Sequence, residues 1–134
     1  MGYIRHHAII VTGRDYGEHK SDLSVFCDIT DAHREATNVI FGSDCVSDLS
    51  VLHINCTRSF CIWPDGSKEG WAESDDGDGR RNAFITWLRA QYHEDGSSPV
   101  AWAEVQFGDD ANEACIVRSS DDDYKERLAK GEPE

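Results

Sequence analysis

The chain has no lysine- or arginine-rich run, no CxxC pair, and no apolar run near the roughly 20 residues that cross a bilayer. Each absence removes a class of function. Without a basic footprint to neutralise phosphates and release counterions, direct binding to DNA or RNA is not expected, nor is adhesion to an anionic membrane. Five cysteines at positions 27, 45, 56, 61 and 115 are an odd number without metal-site spacing. With no basic-plus-apolar leader pattern at the start, they fit a reducing cytoplasm, where most serve as small buried apolar side chains. No internal repeat and no linker divides the 134 residues, which suits one domain burying about two-thirds of its extended-chain surface. Residues 1–120 are expected to form it, with 121–134 as a charged, partly flexible tail able to make a helical turn or two from Tyr124 to Lys130.

What is present in excess is acid. Twenty-six Asp and Glu against 13 Lys and Arg give a formal charge of −13 and a pI near 4.7. Such a field favours a partner with a basic groove and speeds its approach at low salt, although acidity also simply keeps a small protein soluble. Four Trp, four Tyr and five Phe, in a sequence 39% hydrophobic, supply enough apolar material for a core.

The periodicities predict an α+β fold. Tyr3–Thr12 ends in a β-branched run that meets Gly13 and reads as a first strand. Asp28 to Asp31 offer caps for a helix carrying Ala32, Ala36, Val39 and Ile40, stopped by Gly42. Val46–Leu49 reads as a short extended piece, and Val51–Asn55 and Arg58–Trp63 as two strands. Arg80–His93 spaces Ala83, Phe84, Trp87 and Leu88 as a helix. In VAWAEVQF, Ala101, Ala103, Val105 and Phe107 share one strand face, with Glu104 and Gln106 on the other. Ala114–Arg118 returns as a hairpin. The predicted order is β-α-β-β-α-β-β: two helices on one face of a mainly antiparallel sheet of four or five strands, with a ferredoxin-like variant as the nearest named topology.

The stretch WPDGSKEGWAESDDGDG, Trp63 to Gly79, holds the densest chemistry. As a calcium loop begun at Ser74 it places Asp76, Asp78 and Gly79 suitably, yet its twelfth position is Ile85, where a bidentate glutamate is needed. As a phosphate cradle it fails because Glu73, Asp75, Asp76 and Asp78 would repel the ligand. It therefore reads as a connector whose acids cap the second helix and complement its dipole. Trp63 and Trp71 either seal the core edge or act as partner anchors beside the acidic rim. The candidate partner-binding residues are Trp63, Trp71, Glu73, Asp75, Asp76, Asp78, Asp109 and Asp110. Adjacent His6 and His7 leave opposite strand faces and cannot chelate one metal together, so only pairing with His53 or a cysteine would make a site. Cys56 and Cys61 lie near His53 in sequence, but no nucleophile, base and orienting acid form a recognisable set. Neither catalysis nor a cofactor is expected.

Three segments, MGYIRHHAIIVT, WPDGSKEGWAESDDGDGRRNAFITWL and WAEVQFGDD, resemble small accessory proteins of tailed bacteriophages and prophages. That group brings no known activity and no site residues to carry over. The resemblance implies a protein made in a bacterial cytoplasm. It favours a non-enzymatic binder or inhibitor of host or defence machinery, such as an anti-CRISPR or other anti-defence protein, with nucleic-acid mimicry as one route. The alternatives are a binder of small ligands or nucleotide signals, drawing on Arg5, Arg58, Arg80 or Arg81, and a virion or assembly component.

Overall fold

The computed structural model describes residues 6–16, 27–40, 42–52, 54–64, 72–93, 96–108 and 114–130, with the backbone alone at 43 and 72–75. The first strand, β1 (His6–Arg14), runs past Gly13 and stands in the middle of a four-stranded sheet. It pairs antiparallel with β2 (Thr57–Ile62) on one side and with β3 (Val100–Phe107) on the other. β4 (Cys115–Ser119) completes the order β2-β1-β3-β4 as the hairpin partner of β3. All three pairings are antiparallel. β1 and β2 are neighbours, so the crossover expected through the first helix is not made. β2 and β3, both antiparallel to β1, run parallel to each other and are joined by the segment that holds the second helix, with β1 between them. The α+β class and the antiparallel sheet are as expected.

Gly13 is in the strand because the space beside it is taken. A Cβ built there would sit 2.7 Å from Val100 Cγ1 and 3.5 Å from Ile29 Cβ, and Val100 is buried with no room to turn away. Gly13→Ala is therefore expected to destabilise by about 1–3 kcal/mol through overpacking, measured as a lower urea midpoint at unchanged slope.

Helix α1 (Ile29–Arg34) starts where the caps predict. The Asp28 carboxylate accepts the N–H groups of Thr30 at 3.1 Å and Asp31 at 3.3 Å, and the Asp31 carboxylate accepts the Asp28 N–H at 3.1 Å, a reciprocal capping box. Ala32 and Ala36 enter the core, but from Glu35 to Ile40 the helix widens into a π-helix. The wider turn advances each side chain less far around the axis, so Val39 faces solvent at 66% exposure instead of the core.

Val51–Asn55 is not a strand. Val51 and Ile54 are exposed, and a 3-10 turn at Ile54–Cys56 carries left-handed backbone at Asn55 (φ 60°) and Cys56 (φ 58°), which breaks an extended run. The segment before it lies along the outer edge of β2. Val46 bridges Ile62, and the N–H groups of Ser47 and Ser50 donate to the carbonyls of Cys61 and Ser59 at 2.9 and 2.8 Å. In return the Ser47 and Ser50 hydroxyls accept the N–H groups of Cys61 and Ser59, both at 2.9 Å. Serine side chains thus take bonds that a ladder would otherwise make, and the edge is closed without a fifth strand.

Helix α2 runs from Ala72 to Ala90, beginning well before the expected Arg80 and ending before His93. Its core stripe is Arg81, Phe84, Ile85 and Leu88, while Ala83 is exposed and Trp87 only partly buried. These side chains meet Ile29, Ala32 and Ala36 of α1, and Ile9, Val11, Phe60, Ile62, Val100 and Trp102 of the sheet, in one hydrophobic core.

The faces of β3 are the reverse of the predicted ones. Val100, Trp102 and Glu104 are buried, whereas Ala101 and Phe107 are exposed and Ala103 and Val105 half-buried. Register decides this, because Trp102 stands opposite Val11 and Glu104 opposite Ile9, both on the covered face of β1. At the end of β4 the Ser120 hydroxyl accepts the Trp102 N–H at 3.0 Å, replacing a ladder bond as the chain turns into α3 (Ser120–Lys130). The expected flexible tail is thus three turns of helix as far as Lys130. It is tied down by Arg89 of α2, which donates to the buried Asp123 carboxylate at 2.9 Å.

Candidate functional site

The acid run is helical. Residues 74–79, SDDGDG, form the early turns of α2, so they are neither a loop around a cation nor a connector. Carboxylates there complement the positive end of the helix dipole, and two of them pair along the helix. Asp76 accepts from Arg80 at 3.2 Å and Asp78 from Arg81. At about 0.2–0.5 kcal/mol each, the pairs recover part of the roughly 2 kcal/mol that Gly77 and Gly79 cost an α-helix relative to alanine. Among the described residues no three His, Cys, Asp or Glu side chains stand close enough to hold a metal ion.

Of the residues picked from sequence, Trp63 is 51% exposed, just past the end of β2, with its backbone N–H bonded to the Cys45 carbonyl at 2.9 Å. It is not part of the core, so for this tryptophan the core-seal reading is replaced by a half-open indole. Asp76 and Asp78 project from the exposed side of α2. Glu73 and Asp75 share that helix, and of their side chains nothing is described. Trp71, Asp109, Asp110 and the candidate metal partner His53 lie outside the described residues. His6 and His7 do occupy opposite faces, opposite Phe107 and Gln106, and His6 packs on the Phe107 ring at 5.3 Å. All five cysteines are free thiols, but Cys27 alone is buried, and Cys56 and Cys115 are exposed, which corrects the expectation that most are core residues.

Beside the acid run lies a groove of about 370 Å³ lined by Val39, Ile40, Asp76, Gly79, Arg80 and Ala83. Its apolar part is Val39 and Ile40 of the π-helical turn with Ala83 and Gly79 of α2, flanked by the paired Asp76 and Arg80 of the same helix. No heavy atom stands within 4 Å of where a Gly79 Cβ would be, so the space over that turn is open.

Under this surface sits a buried charge network that sequence reasoning missed. Arg81 and Glu104 are each 2% exposed. Arg118 donates to one Glu104 oxygen at 2.6 Å, and Arg81 Nε approaches the other at 3.9 Å. Arg81 also reaches outward to Asp78, which joins the surface carboxylate to the core. One signal was available: an arginine at position 81 in register with Phe84, Ile85 and Leu88.

Several other described cations are similarly occupied. Arg58 pairs with Asp15 at 2.9 Å, Arg34 with Asp31 at 3.1 Å and Lys130 with Glu126 at 2.9 Å. The hydrogen bond and charge of Lys130 hold the Glu126 carboxyl below its usual range. Arg127 donates to the carbonyls of Gly96 and Arg89, both at 2.9 Å, and lies 4.5 Å over the Tyr92 ring. Arg58, Arg80 and Arg81, the arginines on which a small-anion pocket would rest, are thus each committed to a carboxylate; Arg5 lies outside the described residues. Asp44, Asp48, Asp121 and Asp122 are exposed and enter no ion pair among the described residues.

Among the described residues, acids stand at both ends of α2. Asp123, beside Arg89, marks the far end of α2 from Asp76. Thirteen residues of helix separate Arg89 from Asp76 in sequence number, about 20 Å along the axis. No helix among the described residues is long and apolar enough to cross a membrane. Comparison with protein-family models, with curated proteins and with solved structures gives no match.

Proposed function

We propose that this protein is a non-enzymatic acidic binding module that docks on a basic surface of a partner protein. The observation that carries this reading is the disposition of charge. The described arginines are mostly spent on internal carboxylates and carbonyls, so the excess of 26 acids over 13 bases is directed outward. A field of that sign steers a cationic partner and repels nucleic acid. In the phage setting implied by the resemblance, the partner is a host or defence protein with a basic groove, met in the bacterial cytoplasm. Because the acids at the two ends of α2 are about 20 Å apart, they favour a distributed field over imitation of one continuous phosphate track.

The test is capture of partners from a bacterial extract, followed by kinetics with the captured partner across a salt series. The association rate is expected to fall by about tenfold or more between low and physiological ionic strength, as screening shortens the reach of the charges. Absence of a specific partner, or a rate indifferent to salt, would overturn the reading.

A further inference from the structure

The two edges of the sheet are finished differently. Along β2 the edge is closed, since Val46 bridges Ile62 and the backbone and hydroxyls of Ser47 and Ser50 bond to Cys61 and Ser59. Along β4 it is open. Among the described residues, Cys115, Ile116 and Val117 make no backbone hydrogen bond other than those to β3, and alternate residues of such an edge turn their N–H and C=O groups outward. All three are exposed, Ile116 by 62% and Val117 by 43%. Directly after the strand, Asp121 and Asp122 stand exposed in the first turn of α3 and pair with no cation among the described residues, Lys125 one turn on included. We infer that the outer edge of β4 is the docking site for an extended segment of the partner. That segment adds a strand to the sheet, sets apolar side chains against Ile116 and Val117, and carries lysine or arginine at the end that reaches Asp121 and Asp122. The inference rests on the proposed binding role and gives it a location.

Each property of the occupant is selected by a separate feature. A row of outward backbone groups is matched by another extended backbone, whereas a helix has already spent its own N–H and C=O groups internally. The exposed Ile116 and Val117 call for apolar or β-branched neighbours across the pairing. The unpaired Asp121 and Asp122 call for a cation, and this excludes a second copy as the best fit. β4 of a copy would bring one cation, Arg118, which is already bonded to Glu104 at 2.6 Å, together with a net charge of −13. The five residues of β4 span about 17 Å, so the occupant is a short strand and the affinity is correspondingly modest. The edge is held ready for it. Arg118 ties β4 to the buried Glu104, and the Ser120 hydroxyl fixes the end of the strand on the Trp102 N–H, so little ordering remains to be done on binding.

The probe is a short synthetic peptide of alternating valine and threonine with a lysine at each end, so that either direction of pairing serves. Titrated into the full chain at low salt, it is expected to move amide signals centred on Cys115 to Ser119. The same peptide with alternate backbone nitrogens methylated keeps its charge and loses its donors. It should bind about tenfold more weakly, the factor that follows from losing a pair of backbone hydrogen bonds. Equal binding of the methylated peptide, or shifts centred away from β4, would sink the edge assignment and leave the charge reading standing. A third peptide with serine for lysine should bind about three- to tenfold more weakly than the first. In the variant Asp121→Asn with Asp122→Asn, its folding checked by melting temperature, that difference should vanish; if it survives, the general field and not these two acids reads the lysines. Should the double variant not fold, the single changes Asp121→Asn and Asp122→Asn take its place, each expected to narrow the gap. Failure of every peptide to bind ends the edge assignment, while the charge reading is decided separately by the salt series with the captured partner. A concentration-dependent dimer that strengthens with salt and shifts β4 signals in the free protein would give the edge to a second copy and overturn the partner strand.

Discussion

Replacing Glu104 by alanine is expected to destabilise the protein by about 3–5 kcal/mol, the range seen when one partner of a buried ion pair is removed. Glu104 stands on the covered face of β3, opposite Ile9, and accepts from Arg118 at 2.6 Å with Arg81 close to its second oxygen. Without it, the buried Arg81 guanidinium loses its inner carboxylate and keeps the outward one of Asp78. That imbalance, and not the lost attraction, is what makes the change costly. Since a domain of this size is typically stable by about 5–15 kcal/mol, the variant should melt lower by about 10–20 °C. The control is the double variant Glu104→Leu with Arg81→Met. Replacing the two buried charges with apolar side chains is expected to recover most of the loss, because their desolvation and attraction are removed together and Arg118, 27% exposed, keeps access to water. Melting curves for the two variants decide the matter. Equal loss in both would mean that the network's worth lies in packing, with no penalty for unpaired charge.

The second large effect is expected at Phe84. It is fully buried, lies 6.3 Å from the Phe60 ring and stacks 6.2 Å from Trp87. Phe84→Ala should cost about 3–5 kcal/mol as lost transfer energy plus a cavity, read as a lower denaturant midpoint. Leu88, also buried on this stripe, offers a milder comparison through Leu88→Met, for which about 1.5 kcal/mol or less is expected. If Phe84→Ala cost no more than that swap, α2 would not be the core helix described above. Both predictions concern what holds α2 to the sheet, and thus what keeps the groove and the acid run in place.

Much of this could be read along the chain. The first strand, the capped start of α1, the β3–β4 hairpin and the apolar spacing of the second helix are local signals, carried by β-branched runs, a reciprocal cap and helical periodicity. The groove was not legible, since it needs a π-helical turn that rotates Val39 outward and a helix that starts at Ala72. Two glycines and a cluster of acids look like a connector when read locally. They are helical because Asp76 and Asp78 pair with Arg80 and Arg81, and because Arg81 reaches into the core. The reversal of β3 has a similar cause. Counting apolar residues favours the Ala101 face, but a strand in a sheet must follow its neighbour's register, and Trp102 faces Val11. The buried Glu104 follows from that register, with Arg81 and Arg118 supplied by α2 and β4.

By itself the sequence determined the class of fold and the sign of the surface charge, because periodicity and composition are properties of the chain alone. Tertiary structure decided which strand face is covered, where α2 begins and which carboxylates remain unpaired. Those depend on partners far apart in sequence, and only packing brings Arg81 to Glu104 or turns an acidic, glycine-bearing stretch into the wall of a groove.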